Sequence, residues 1–159
     1  GKNDNFPCDK AKKKLKGMEP HEIGRLLNYC DVLLIEADGS KRLPLKVPSE
    51  TEPVLVPQTG LIIACAGLTA AGNQFGDTGF RFSSHGSWLH RNVDDAIGAE
   101  DMALILMDER GSHKGVDGRY YRVLVNQADT EKEQKLAEEI AGMLPLNLQA
   151  GCVRTARMR

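Results

Sequence analysis

A chain of 159 residues is long enough for one domain with a true core and too short for two of ordinary size. Its 21 Lys and Arg nearly balance 22 Asp and Glu, so no global field selects nucleic acid or an anionic membrane, and few aromatics are available to stack on bases. The longest strongly apolar run, Leu61 to Leu68, is far shorter than the roughly 20 residues of a transmembrane helix, and the cysteines Cys8, Cys30, Cys65 and Cys152 form no Cys-x-x-Cys pair, so a reduced cytoplasmic protein is expected.

Residues 1–18 are polar, with Lys10, Lys12, Lys13, Lys14 and Lys16 crowded together, and read as a solvated leader ahead of a single α/β domain over residues 19–153. From Pro20 to Cys30 the residues Ile23, Leu26, Leu27 and Cys30 recur at helical spacing, which predicts an amphipathic helix with Pro20 in its first turn. The run from Asp31 to Ala37 follows at once and reads as a strand buried on both faces, as in a parallel sheet. Lys41 to Gly60 carries Pro44, Pro48, Pro53 and Pro57, a density that excludes a helix and disfavours a central strand. Loops of this length in compact domains are often functional.

Leu61 to Ala66 predicts a second buried strand, closed by Gly67, and residues 72–92 a second irregular excursion rich in Gly, Ser, Asn and His. Ala99 to Asp108 reads as a helix with Glu100 and Asp101 at its positive end. Tyr121 to Asn126 is a third strand. Thr130 and Glu133 make a capping-box pattern, and Leu136, Ile140 and Leu144 give the next helix its apolar face. A short strand is expected between Leu146 and Val153, before a basic tail over 154–159. This alternation predicts an α/β fold, a mainly parallel sheet flanked by helices.

Two strand ends carry candidate chemistry. The first strand stops in Glu36-Ala37-Asp38-Gly39, and acids at the C-terminal rim of a parallel sheet suit a hydrated magnesium ion or a water beside a phosphate; an ordinary Asp-Gly turn is the alternative. The third strand runs into Asn126-Gln127-Ala128-Asp129, the place where guanine-nucleotide proteins carry Asn-Lys-x-Asp, with Gln127 in the lysine position. Asn and Asp are also common turn residues. A glycine-rich phosphate loop ending in Lys-Ser/Thr is missing, so the backbone donors that cradle nucleotide phosphates are absent from this sequence. His85, His90 and His113 lack a characteristic metal-ligand spacing, and Arg81, His85, His90 and Arg91 read as a solvated loop or an anion contact.

The segment Glu36-Ala37-Asp38-Gly39-Ser40-Lys41-Arg42-Leu43-Pro44-Leu45-Lys46-Val47-Pro48, extended by Glu50, Glu52 and Pro53, resembles the YqeC-type proteins, proposed accessory factors for selenium-dependent molybdenum hydroxylases. Leu15-Lys16-Gly17 and Asn126-Gln127-Ala128-Asp129 resemble further elements of that family. The resemblance implies a P-loop NTPase core in the style of the metallochaperone GTPases of urease and hydrogenase, whose matching strand also ends in Glu-x-x-Gly, as Glu36 and Gly39 do. The family's phosphate loop lies well ahead of this segment, so the chain looks like the C-terminal part of such a protein or a member that has lost the loop.

The resulting expectation is an accessory or maturation factor for a selenium- or molybdenum-containing hydroxylase. Glu36 and Asp38 are its candidate catalytic acids, with Asp38 facing magnesium, and Gly39, Asn126 and Asp129 are candidates for a purine nucleotide, if a phosphate loop is supplied. Lys41, Arg42 and Lys46 are candidate contacts for an anion, the client enzyme or its cofactor machinery, with Glu50 and Glu52 as intramolecular partners. Neither nucleic acid nor membrane is expected as a partner. The alternatives are a non-catalytic module that docks on the client, and a metal-carrying chaperone.

Overall fold

The computed structural model describes residues 17–148 and, as backbone, 150–153. The lysine cluster of the leader and the basic tail lie outside the described residues. Helix α1 (Pro20–Leu26) starts where expected, with the Glu22 carboxylate accepting a bond from the Glu19 amide at 3.0 Å, and tightens into a 3₁₀ turn at Leu27–Tyr29. The proline-rich loop contains a two-residue strand, β1 (Leu45–Lys46), before strand β2 (Leu61–Gly67).

The second excursion is more regular than its composition suggests. It holds short helix α2 (Phe75–Thr78), strand β3 (Gly79–Phe80) and short helix α3 (Phe82–His85), pinned by the stacked rings of Phe75 and Phe82 at 4.1 Å. β1 and β3 pair in parallel, Leu45 with Gly79 and Lys46 with Phe80. Such a contact between distant two-residue segments has no periodic signal to betray it.

The second half follows the predicted order: α4 (Ala99–Met107), β4 (Tyr120–Asn126), α5 (Glu131–Met143) and β5 (Ala150–Val153). Thr130 accepts a bond from the Glu133 amide at 3.3 Å, and the Glu133 carboxylate accepts from the Thr130 amide at 2.8 Å, closing the capping box at the start of α5. The last strand is shorter than expected because residues 146–148 form a turn.

β2, β4 and β5 form one parallel sheet in the order β2-β4-β5, with Leu61 opposite Tyr120 and Gly67 opposite Asn126. One face, bearing Ala64, Ala66, Tyr121, Val123 and Val125, is buried with Met102, Ile105, Leu106 and Ile140 of α4 and α5. The Tyr121 hydroxyl donates to the Leu106 carbonyl, fastening α4 across that face. The other face carries Leu61, Ile63, Cys65, Tyr120 and Arg122, all exposed.

One expected strand is corrected. Asp31 to Ala37 has no regular secondary structure and joins no sheet among the described residues, and Val32 and Leu34 are 73% and 89% exposed rather than buried. A strand needs a neighbour for its backbone groups. Ala37 accepts one bond, from the Val54 amide at 3.1 Å, and among the described residues no ladder runs along 31–36. Between this segment, α1 and β2 lies a cavity of about 630 Å³.

Candidate functional site

The Glu36–Pro53 loop is organised around Lys46. Its parallel pairing beside Phe80 turns the ammonium inward, where the side chain is only 9% exposed. The ammonium donates to the Gly39 carbonyl at 2.9 Å and pairs with Asp38 at 3.3 Å and Glu52 at 2.9 Å. Glu52 is the hub on the acidic side: it also accepts from Arg81, from the Ser49 hydroxyl at 3.2 Å and from the Ser49 amide at 3.3 Å. Burial alone raises the pKa of Glu52, but the bonds from Lys46 and Ser49 and the charges of Lys46 and Arg81 together hold it below its ordinary value.

Above this network sits the half-buried ring of Phe80. Lys41, Lys46 and Arg81 lie 5.3, 5.6 and 5.1 Å from its centroid, cation–π contacts on one ring. Lys41, Arg42 and Arg81 all have left-handed backbone, at φ of 52°, 66° and 63°. For non-glycine residues this conformation costs about 1–2 kcal/mol each. It persists where surrounding contacts over-determine it, and such residues cluster at functional sites.

The loop joins the sheet at its C-terminal edge, the rim where open α/β sheets bind ligands. The Gly67 amide donates to the Pro44 carbonyl at 2.8 Å, and Gly67 is the register partner of Asn126. Gln127, at φ 68°, turns its side chain back to accept from the Thr69 hydroxyl at 2.7 Å, while the Asn126 carboxamide accepts from the Gln127 amide at 2.7 Å. A Cβ at Gly67 collides with the Gln127 side-chain oxygen and falls 2.9 Å from Pro44 Cβ, so only glycine lets these three segments meet without a shift. Asp129 is exposed, its amide held by Glu133 at 2.9 Å.

The predicted residues thus divide. Asp38, Gly39 and Lys46 meet directly, and Pro44 and Gly67 connect them to the turn of Asn126. Lys41 and Arg42 are exposed on the loop's outer surface, and Glu36 is exposed on the segment ahead of it. Lys46 is an internal tie rather than an open anion contact. Glu52 is its partner as expected, whereas Glu50 is exposed and lies 3.9 Å from Lys114. Phe80 and Arg81 are the members that sequence reasoning passed over, Phe80 entirely and Arg81 as part of a solvated loop. Among the described residues no three His, Cys, Asp or Glu side chains converge as a metal site, and no helix is long and apolar enough to cross a membrane.

The family model described as "YqeC protein" matches residues 6–83. A curated relative, "Uncharacterized protein YqeC" of Escherichia coli (strain K12), is 29% identical over 128 residues, which cover 79% of this chain and 50% of the relative. Both matches support a YqeC-type assignment. It spans about half the length of the curated relative that it matches. No solved structure matches. The YqeC-type match over 6–83 takes in the whole Lys46 network, from Asp38 to Arg81, and stops short of the Asn126–Asp129 turn. The part of the chain that carries the family pattern therefore includes the cations clustered at Phe80.

Proposed function

We propose that this YqeC-type chain serves in the maturation of a selenium- or molybdenum-containing hydroxylase, engaging the client or its cofactor machinery through the Glu36–Pro53 loop. Asp38 in the loop and the Asn126 turn after β4 are the residues of the accompanying nucleotide-related site in this reading. The observation that carries the reading is the Lys46–Glu52–Arg81 network beneath the Phe80 ring, over which Lys41 also lies, together with the left-handed backbone of Lys41, Arg42 and Arg81. A solvated linker relaxes such strain; a preformed cationic surface keeps it, because ordering costs are then met before the partner arrives. Exposed Lys41 and Arg42 suit an acidic patch or an anionic group on that partner.

The Asp38–Lys46 pair favours the docking role over catalysis by this chain alone. A magnesium ion at Asp38 has to displace the ammonium 3.3 Å away, and draws its remaining ligands from water and phosphate oxygens. Such an ion, once bound, would neutralise phosphate charge; the protein's own part is to hold Asp38 beside Lys46.

The decisive experiment is charge reversal at the two exposed cations. Lys41→Glu combined with Arg42→Glu, made in the natural reading frame, is expected to leave protein level and melting temperature near wild type and to lower client hydroxylase activity in cells at least fivefold. Full activity at normal protein level refutes the loop's role.

A further inference from the structure

Parallel sheets occur almost only with both faces covered. Here one face of the sheet is open among the described residues: Leu61 beside Tyr120 and Ile63 beside Arg122 are exposed, with Cys65 exposed next to Leu124. The topology explains which face was left bare. The crossovers from β2 to β4 and from β4 to β5 step in the same direction, and right-handed crossovers then put α4 and α5 on the same side. Helices reach the opposite face only through crossovers that step the other way, from strands lying beyond β2. The outer edge of β2 has no strand partner among the described residues, and the cavity of about 630 Å³ separates it from exposed Val32 and Leu34.

We propose that this open face and the free edge of β2 are the docking surface for the half of a YqeC-length protein that the 159 residues do not span. That half adds at least one parallel strand on the β2 side and lays an amphipathic helix over Leu61, Ile63 and Tyr120. The match to only 50% of the relative's length supplies the necessary extra chain. A lone strand does not suffice, since it closes the edge and leaves the face bare. The inference concerns assembly of the fold and stands apart from the identity of the client.

Cys65 reports on the face directly, because it is exposed in the structure described here. Maleimide labelling is compared between the 159-residue chain and the product of the intact natural reading frame, with Cys30 as a second reporter on α1's flank. The expected result is ready labelling of Cys65 in the 159-residue chain and at least tenfold slower labelling in the intact product. In parallel, Ile63→Glu is expected to be tolerated in the 159-residue chain and to lower the melting temperature of the intact product. Equal reactivity of Cys65 in the two proteins overturns the proposal, as does a reading frame confined to these residues. Protection already present in the 159-residue chain overturns it as well; protection that grows with concentration then points to a second copy, and concentration-independent protection to residues 1–16.

Discussion

Lys46 and Glu52 meet at 2.9 Å, six positions apart in sequence, with the lysine side chain almost sealed from solvent. The pair closes the proline-rich segment on itself and sets the position of both neighbours: Asp38 on the lysine side and Arg81 on the glutamate side. A cation enclosed by two carboxylates and a carbonyl is a structural tie, not a free ligand for an incoming anion.

Removing that tie takes the ammonium from Asp38 and the Gly39 carbonyl and leaves Glu52 with Arg81 and Ser49. Lys46→Ala is therefore expected to destabilise the fold by roughly 1–3 kcal/mol, since unpaired buried polar groups cost about that much and more when charged. Urea denaturation measures it. An unchanged midpoint means the network is solvated and contributes little.

Acid should act on the same network. The pKa of Glu52 is lowered by folding from its ordinary value of 4.5. A depressed carboxylate contributes stability that is present above the unfolded value and is lost as pH falls through the folded one. The urea midpoint is expected to hold between pH 7 and 5 and to decline below 4.5, with Glu52→Gln flattening that acid limb. An equally steep decline in the variant assigns it to other groups, such as Asp108, whose pKa the Arg110 bond lowers.

Arg42 separates stability from function. At φ 66°, Arg42→Gly relieves left-handed strain and is expected to leave stability unchanged or raised by up to about 1 kcal/mol. Client activation in cells should nevertheless fall. A destabilised variant means that the arginine side chain itself supports the loop.

Nucleotide affinity tests what Asp38 and the Asn126 turn retain by themselves. The sequence holds no phosphate loop, so titration calorimetry of the 159-residue chain with magnesium-GTP and magnesium-ATP is expected to give Kd above ~0.1 mM. Micromolar binding points to a phosphate site made by other residues.

Local patterns in the sequence were sufficient for α4, β4 and α5, because periodicity, a capping box and a branched apolar run all encode contacts within a few residues of themselves. The motif from Glu36 to Pro53 was legible for the same reason, as were Glu52 as partner to Lys46 and the YqeC-type resemblance that both matches support. Phe80 and Arg81 were not, because their place beside Lys46 depends on a two-residue parallel bridge across more than thirty positions, and nothing local announces such a pairing. The run from Asp31 to Ala37 shows the reverse limit. Its apolar composition is real, but a strand is defined by a neighbour, and only the tertiary structure revealed that among the described residues no ladder forms along 31–36. Composition determined which segments seek burial; the arrangement of strands decided which of them obtain it.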